Sequence, residues 1–447
     1  MLRRFAQHPF VRNVAILSSG QAMAQALAIA ASPILTRLYD PDAFGAFGLL
    51  IAFSTTLIVV SGLRYELAIV TAKDDESAAN LLILSCGLVL LVSGLSALLP
   101  GLAGTMIADF VERPGFGTLL WWLPLLTLAG GSYQALSYWT TRRKHYTHLA
   151  VSRVVQSLGA LGTQIAAGLA DLGARGLIGG RVLGTSLSAS ILAFQVWRHD
   201  WAVVRSALKA PRLKEVAKEN ARFPKYNAPQ NLINSISKAL VPFTLAPFFG
   251  VEIVGFYYLA ERVLNTPSTL VSGSVRRVFY QRASERYNQG KSFRRLLLMT
   301  YAGLFSIGVV PLALLVGFGP ELFSFVFGAE WRKAGTMTQW LAVWWFLAFV
   351  TAPSSETLII LKLQKYLLYY QASLASARFL AILIGATYGD DITAIAACSL
   401  VGLAFNFSLM VVAVVHVHRH SGPPDDPGAA REPEPERRLE ASMDESP

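Results

Sequence analysis

Apolar stretches of about twenty residues recur along the chain from residue 14 to residue 416, separated by short polar clusters and seldom interrupted by charge. A helix rises about 1.5 Å per residue, so roughly 20 such residues cross the ~30 Å hydrocarbon layer of a membrane. The pattern predicts crossings near 14–36, 44–71, 79–101, 117–139, 149–170, 176–197, 226–249, 253–279, 296–318, 336–361, 366–388 and 392–416. Twelve crossings put both ends of the chain on one side and leave room only for short connections. The expectation is an all-α polytopic membrane protein.

A repeat divides the set. FGAFGLL (Phe44 to Leu50) opens the second crossing and VGFYYLA (Val254 to Ala260) opens the eighth, with Gly45 and Gly255 210 residues apart. At that offset Val60-Ser61-Gly62 falls one residue from Val271-Ser272-Gly273. Two six-helix pseudo-repeat lobes of the same orientation follow, an arrangement in which transporters place the site between halves. The expected divisions are residues 1–197 and 226–416 for the lobes, 198–225 for a linker and 417–447 for a tail. In the linker, Trp201, Val204, Leu208 and Leu213 alternate with Arg205, Lys209, Arg212 and Lys214, which fits either a basic helix on the membrane surface or a solvated connection. The tail, rich in Pro, Glu, Arg and Ala without apolar periodicity, is expected to be disordered.

Composition excludes a soluble enzyme: 53% of residues are apolar and 15% charged, against about 25% charged in ordinary globular chains. The net charge of +11 separates by position. Residues 425–447 carry a net of −5, so the preceding 424 carry +16. Of the 39 bases, 26 fall in segments on the N-terminal side of the membrane, and five, Arg37, Arg113, Arg175, Arg332 and Lys333, fall on the other. That bias predicts both termini in the cytoplasm and removes any need for a nucleic-acid partner. The leader MLRRFAQHPFVRN has no small-residue cleavage site after a short apolar core and is expected to precede a retained first helix. Cys86 and Cys398 lie inside apolar stretches, as small packing residues rather than a disulfide or zinc framework.

The remaining eight bases lie within crossings, where an ionisable group is a functional candidate. The seventh crossing carries Asn227, Asn231, Asn234 and Lys238 at spacings of 4, 3 and 4, one polar face running to mid-membrane. Its counterpart, the first crossing, carries Gln21 and Gln25 one turn apart. Arg378 falls near the middle of the eleventh crossing, and Glu261 and Arg262 about nine residues into the eighth. The expected cavity is lined by Lys238, Arg262, Arg378, Asn231, Asn234, Gln21 and Gln25, and its cationic balance suits an anionic head group. Glu261 either neutralises a neighbouring base or serves coupling. Arg64 and Glu66 form an ion pair or a gate near the inner interface, Arg181 and Glu356 lie deeper, and Arg153, Arg276 and Arg277 are placed to snorkel to lipid phosphates. Arg37 and Asp40 either gate the outer side or shape its turn with Pro41.

Several chemistries are missing. The one GKS, Gly290 to Ser292, has Glu285 where a P-loop requires glycine, and no G-x-S-x-G or H-E-x-x-H occurs. Neither a metal nor a cofactor is expected. His416, His418 and His420 fit an interfacial anchor, and Asp74-Asp75-Glu76 a solvated loop.

PILTRLYDPDAFGAFGLL (Pro33 to Leu50) with LRYELAIV (Leu63 to Val70) resembles the N-terminal signature of the polysaccharide-type (Wzx-like) flippases of the MATE/MurJ-containing MOP superfamily. RFPKYNAPQNLINSISK (Arg222 to Lys238), GFYYLAERVLNTPSTLVSGSV (Gly255 to Val275) and FVFGAEWRKAG (Phe325 to Gly335) are similar to later parts of that family. The resemblance implies a flippase, not an enzyme, moving an undecaprenyl-diphosphate-linked oligosaccharide across the bacterial inner membrane for O-antigen, capsule or exopolysaccharide assembly. Its partners would be that glycan, membrane lipids, and polysaccharide polymerase and glycosyltransferases. Twelve crossings depart from the fourteen of lipid II flippases. In an alternating-access cycle Lys238, Arg262 and Arg378 would offset the diphosphate, and Asn231, Asn234, Gln21 and Gln25 would bond sugar hydroxyls, with Arg37, Asp40, Arg64, Glu66, Glu261 and Glu356 as gating or coupling candidates. The competing readings are a small-molecule antiporter of the same superfamily, which would need an inward-facing acid, and a membrane glycosyltransferase or polymerase, for which no catalytic constellation is present.

Overall fold

The computed structural model describes residues 9–207 and 210–420, so the leader before Pro9 and the tail from Ser421 lie outside the described residues. Among the described residues there is no strand, and twelve long helices run up and down in succession. They are α1 Pro9–Leu38, α2 Pro41–Ser61, α3 Asp75–Ser96, α4 Leu123–Arg142, α5 Tyr146–Leu169, α6 Gly173–Gln195, α7 Ala228–Phe249, α8 Val251–Asn288, α9 Arg294–Phe327, α10 Arg332–Val350, α11 Gln364–Tyr388 and α12 Asp391–His420. Among the described residues, eight of these stretches are long and apolar enough to cross a membrane by length and composition. The end of the bundle holding the start of α1 and the end of α12 is called here the terminal end, and the opposite one the distal end.

Several elements differ from the sequence pattern for identifiable reasons. The second crossing is interrupted at Gly62, where Leu63 and Arg64 take φ of 45° and 64°, and resumes as the short helix Tyr65–Thr71. The tenth breaks at Thr351 and restarts as Ala352–Ile360, with Pro353 in its first turn, where a missing N–H costs nothing. A helix, Leu99–Phe110, fills part of the connection before α4. At 38 residues α8 is about 57 Å long, so it projects well beyond the hydrocarbon layer. Helix α9 is kinked at Phe318, between Pro311 and Pro320. The linker forms two helices, Trp201–Ser206 and Ala210–Glu219. Their Val204 and Val216, with Ala207 between the two helices, are buried against Tyr65, Ile69, Ala78 and Leu81, while Trp201 is exposed and Leu208 and Lys209 lie outside the described residues.

Four buried clusters among the described residues define the shape. The largest joins both halves at the distal end, bringing Leu35, Phe44, Leu49 and Phe116 together with Leu245, Val254, Phe256 and Trp331. The other clusters each lie within one half: Ile69, Leu82, Trp139 and Leu192 in the first, Phe279, Phe293, Leu297 and Ala413 in the second, and Leu358, Tyr370, Leu374 and Leu409 also in the second. The halves therefore share a core distally and diverge toward the terminal end.

The distal contact is the crossing of α2 with α8. A Cβ placed on Gly45 would lie 1.8 Å from the Val251 carbonyl oxygen, and one on Gly255 would lie 1.9 Å from the Pro41 carbonyl oxygen. Only glycine permits backbones this close. Beside the crossing, the Trp331 indole donates to the Thr36 carbonyl at 3.0 Å and packs edge-on against Phe44 and Phe256. Arg113 pairs with Asp42 at 2.6 Å, and Lys333 with Asp391 at 2.9 Å.

Candidate functional site

Where the halves diverge they enclose a cavity of about 500 Å³, lined from α1, α2, α4, α5, α6 and α8. It continues toward the terminal end into a second space of about 560 Å³ that reaches Thr141 and Leu149 and shares Tyr133, Arg153, Gln156 and Arg181 with the first. Apart from Arg181, every polar residue lining the main cavity comes from α1, α4, α5 or α8.

Three guanidinium groups face it: Arg153, Arg181 and Arg262. Arg153 donates to the Gln21 side-chain oxygen at 2.9 Å and Arg262 to the Ala28 carbonyl at 3.1 Å. Arg181 is exposed to the cavity and has Tyr258, Arg262 and Tyr133 as its electrostatic neighbours. No carboxylate lines either space, and none of the three arginines belongs to an ion pair among the described residues. Gln21, Gln25, Gln156 and Gln164 supply neutral polar groups, and the buried Gln25 side-chain oxygen has no protein partner. Planar, permanently charged donors with no ion-pair partner among the described residues are chemically suited to pair with an anion.

A smaller cavity of about 150 Å³ lies alongside, lined by α2, α7 and α8, and contains Lys238 and Glu261. Lys238 and Arg378 are the charged neighbours of Glu261. Arg378 lines neither cavity; its guanidinium stacks 3.8 Å over the Trp344 ring in the second half. Asn231 turns its amide back to the Asn227 carbonyl at 2.8 Å, and Asn234 is exposed; neither lines either space. Of the residues expected to share one cavity, the fold thus gathers Gln21, Gln25 and Arg262, sets Lys238 next door, and leaves Asn231, Asn234 and Arg378 outside.

The remaining candidates take definite positions. Arg37 donates to the Pro33 carbonyl of its own helix at 2.8 Å, and Asp40 caps α2 by accepting from the Ala43 N–H at 2.7 Å, so the two shape the turn without pairing. Glu66 is buried, accepting from Gln134 at 2.8 Å and Arg64 at 3.4 Å. Arg276, placed by sequence to reach lipid phosphate, pairs with Glu356. Arg153, given the same role, points into the cavity because Gln21 on α1 lies across from it. The signal that finds it is the spacing of Arg153, Gln156, Ser157, Ala160 and Gln164, which repeats at three to four residues and marks one face of α5. No group of three or more His, Cys, Asp or Glu suited to a metal occurs among the described residues.

A family model described as polysaccharide biosynthesis protein matches residues 34–336. Among solved structures, an inward-facing multidrug resistance MATE family transporter of the MOP superfamily covers 89% of this chain and 95% of its own, at 14% identity and a TM-score of 0.69. The lipid II flippase MurJ in an inward closed conformation covers 90% of both chains, at 12% identity and a TM-score of 0.68. A MOP superfamily transporter from Pyrococcus furiosus, described as having a binding pocket of reverse polarity suggesting a different function, covers 91% and 96%, at 15% identity and a TM-score of 0.56. At such identities the likeness is one of fold. No curated protein matches the sequence.

Proposed function

The chain belongs to the polysaccharide biosynthesis protein family, the Wzx-like flippases, and on that premise we propose that its cargo is an undecaprenyl-diphosphate-linked oligosaccharide. The cargo moves from the inner to the outer leaflet of the bacterial inner membrane, with both termini of the protein in the cytoplasm. The observation that carries this reading is the cavity between the halves lined by Arg153, Arg181 and Arg262 with no carboxylate. A diphosphate is the part of such a lipid that hydrocarbon rejects most strongly, and three guanidinium groups offset its charge. Gln21, Gln25, Gln156 and Gln164 offer hydrogen bonds to sugar hydroxyls, and Lys238 and Arg378 add cationic potential from the second half.

The lobes, residues 1–197 and 226–416, rock about the α2–α8 crossing, opening the cavity to each side in turn. Glycosyltransferases supply the cargo on the cytoplasmic side and a polymerase consumes it outside. The antiporter reading fits less well, since an organic cation would meet three arginines in the main cavity, and Glu261 is already faced by Lys238 and Arg378.

The test is export of the surface glycan in cells lacking their own flippase. The wild type restores export, and Arg181→Ala with Arg262→Ala abolishes it while the protein still reaches the membrane. Undiminished export by that double variant would overturn the proposal.

A further inference from the structure

Besides Arg153, the interior holds four cations and one carboxylate that do not neutralise one another in the usual way. None of Arg181, Arg262, Lys238, Arg378 or Glu261 appears in an ion pair among the described residues. Glu261 and Arg262 are consecutive on α8, yet Glu261 lines the small cavity and Arg262 the large one. A carboxylate so near a cluster of unpaired guanidinium groups would be expected to fall onto them. Tethered on the same helix, it would compete with any incoming anion at an effective concentration in the millimolar range or above.

The two cavities have two lining residues in common, Ile51 and Tyr258. Tyr258 stands three residues before Glu261 and four before Arg262, so both side chains rise from the turn above its ring. The phenol is within electrostatic reach of Arg181, Arg262 and Glu261 together. Its ring is fixed by α2: the edge meets Phe47 with centroids 5.6 Å apart, and it covers Gly48 so closely that a Cβ there would lie 3.0 Å from it.

We propose that Tyr258 is a positioning residue for the anion seat: its ring walls Glu261 off from Arg181 and Arg262, so that the chain's own carboxylate does not take the place meant for the cargo's diphosphate. Glu261 is left to Lys238 and Arg378 on its own side. The inference rests on the anion-binding reading of the main cavity and explains how that seat stays vacant within reach of an acid. Removing the ring joins the two spaces and lets Glu261 close onto Arg181 across the gap between the halves.

The experiment is a double-mutant cycle on the purified full chain in detergent, with binding of farnesyl diphosphate measured by calorimetry. Tyr258→Phe keeps the partition and binds within about twofold of wild type. Tyr258→Ala binds about tenfold or more weakly, the effect of about one charge pair. In a Glu261→Gln background the same Tyr258→Ala change costs less than about twofold, because the competing carboxylate is gone. Equal losses in the two backgrounds, or no loss in either, would overturn the partition while leaving the anion seat standing. A wild type that does not bind the probe would overturn the seat, and the partition with it.

Discussion

Arg153 begins seven residues into α5, a depth from which arginine ordinarily reaches the interface, yet its guanidinium lies against Gln21 in the cavity. One desolvated, charge-assisted contact is worth about 1.5–3 kcal/mol, so Arg153→Ala is expected to lower diphosphate binding by about tenfold. Arg277→Ala, at an exposed position on α8, should leave it unchanged, and the same calorimetric assay compares them. A second residue-scale expectation concerns Asp74, which caps α3 outside the membrane. The Ser77 N–H at 2.7 Å, with the Ser77 hydroxyl, Arg212 and Arg142, holds its carboxyl below the usual carboxylate range. That stabilisation is complete above the unfolded value near ~4 and is lost as pH falls through the lower folded value. Asp74→Ala should therefore lower the thermal midpoint in detergent at pH 7, and the gap from wild type should narrow as pH falls below the ordinary carboxylate range. Sequence disclosed Gln21, Gln25 and Arg262 because polar groups stand out in apolar helices. It could not separate them from Asn231 or Arg378, since depth along a helix is written in the chain but the direction a face points depends on the neighbours.

Among the elements, α2 and α8 were legible as a repeat before they were legible as a contact. The 210-residue offset between Gly45 and Gly255 is the spacing of two glycines that meet the opposite backbone at one crossing. Over-packing a close contact costs about 1–3 kcal/mol, and here the atoms in the way are carbonyl oxygens that cannot swing aside. Gly45→Ala and Gly255→Ala should each lower the thermal midpoint and export, whereas Gly94→Ala and Gly101→Ala, which open onto free space, should do neither. The breaks at Gly62 and Thr351 were hidden from hydropathy because the flanking helices are apolar on both sides of each turn. The linker helices were ambiguous for a related reason: their apolar side was evident, but lipid and Tyr65, Ile69 and Leu81 look alike to a one-dimensional pattern.

At the scale of the molecule, the proposed orientation rests on the charge bias and the shape on burial. A cysteine at Arg282, on the terminal projection of α8, should react with a membrane-impermeant thiol reagent only after the inner membrane is breached. One at Glu330, on the distal side, should react in intact spheroplasts, with Cys86 and Cys398 replaced in both cases. The reverse pattern would invert the assigned topology. The terminal end of the first half is stitched by Arg142 and Arg143 to Asp75, and by Arg143 and Trp139 to Asp200, which makes that half a single body.

The shared distal core also fixes a resting population. Opening the distal side requires parting Trp331 from Phe44 and Thr36, along with the rest of that buried cluster, before any replacement contact forms at the terminal end. On the alternating-access proposal, the empty carrier should therefore rest with its mouth toward the termini. Cargo can reverse that preference only by binding the distal-open form more tightly, and shifting 1:99 to 99:1 takes about 5.5 kcal/mol of differential affinity. On the same proposal, re-forming that core once the cargo leaves should favour the return stroke without a ligand.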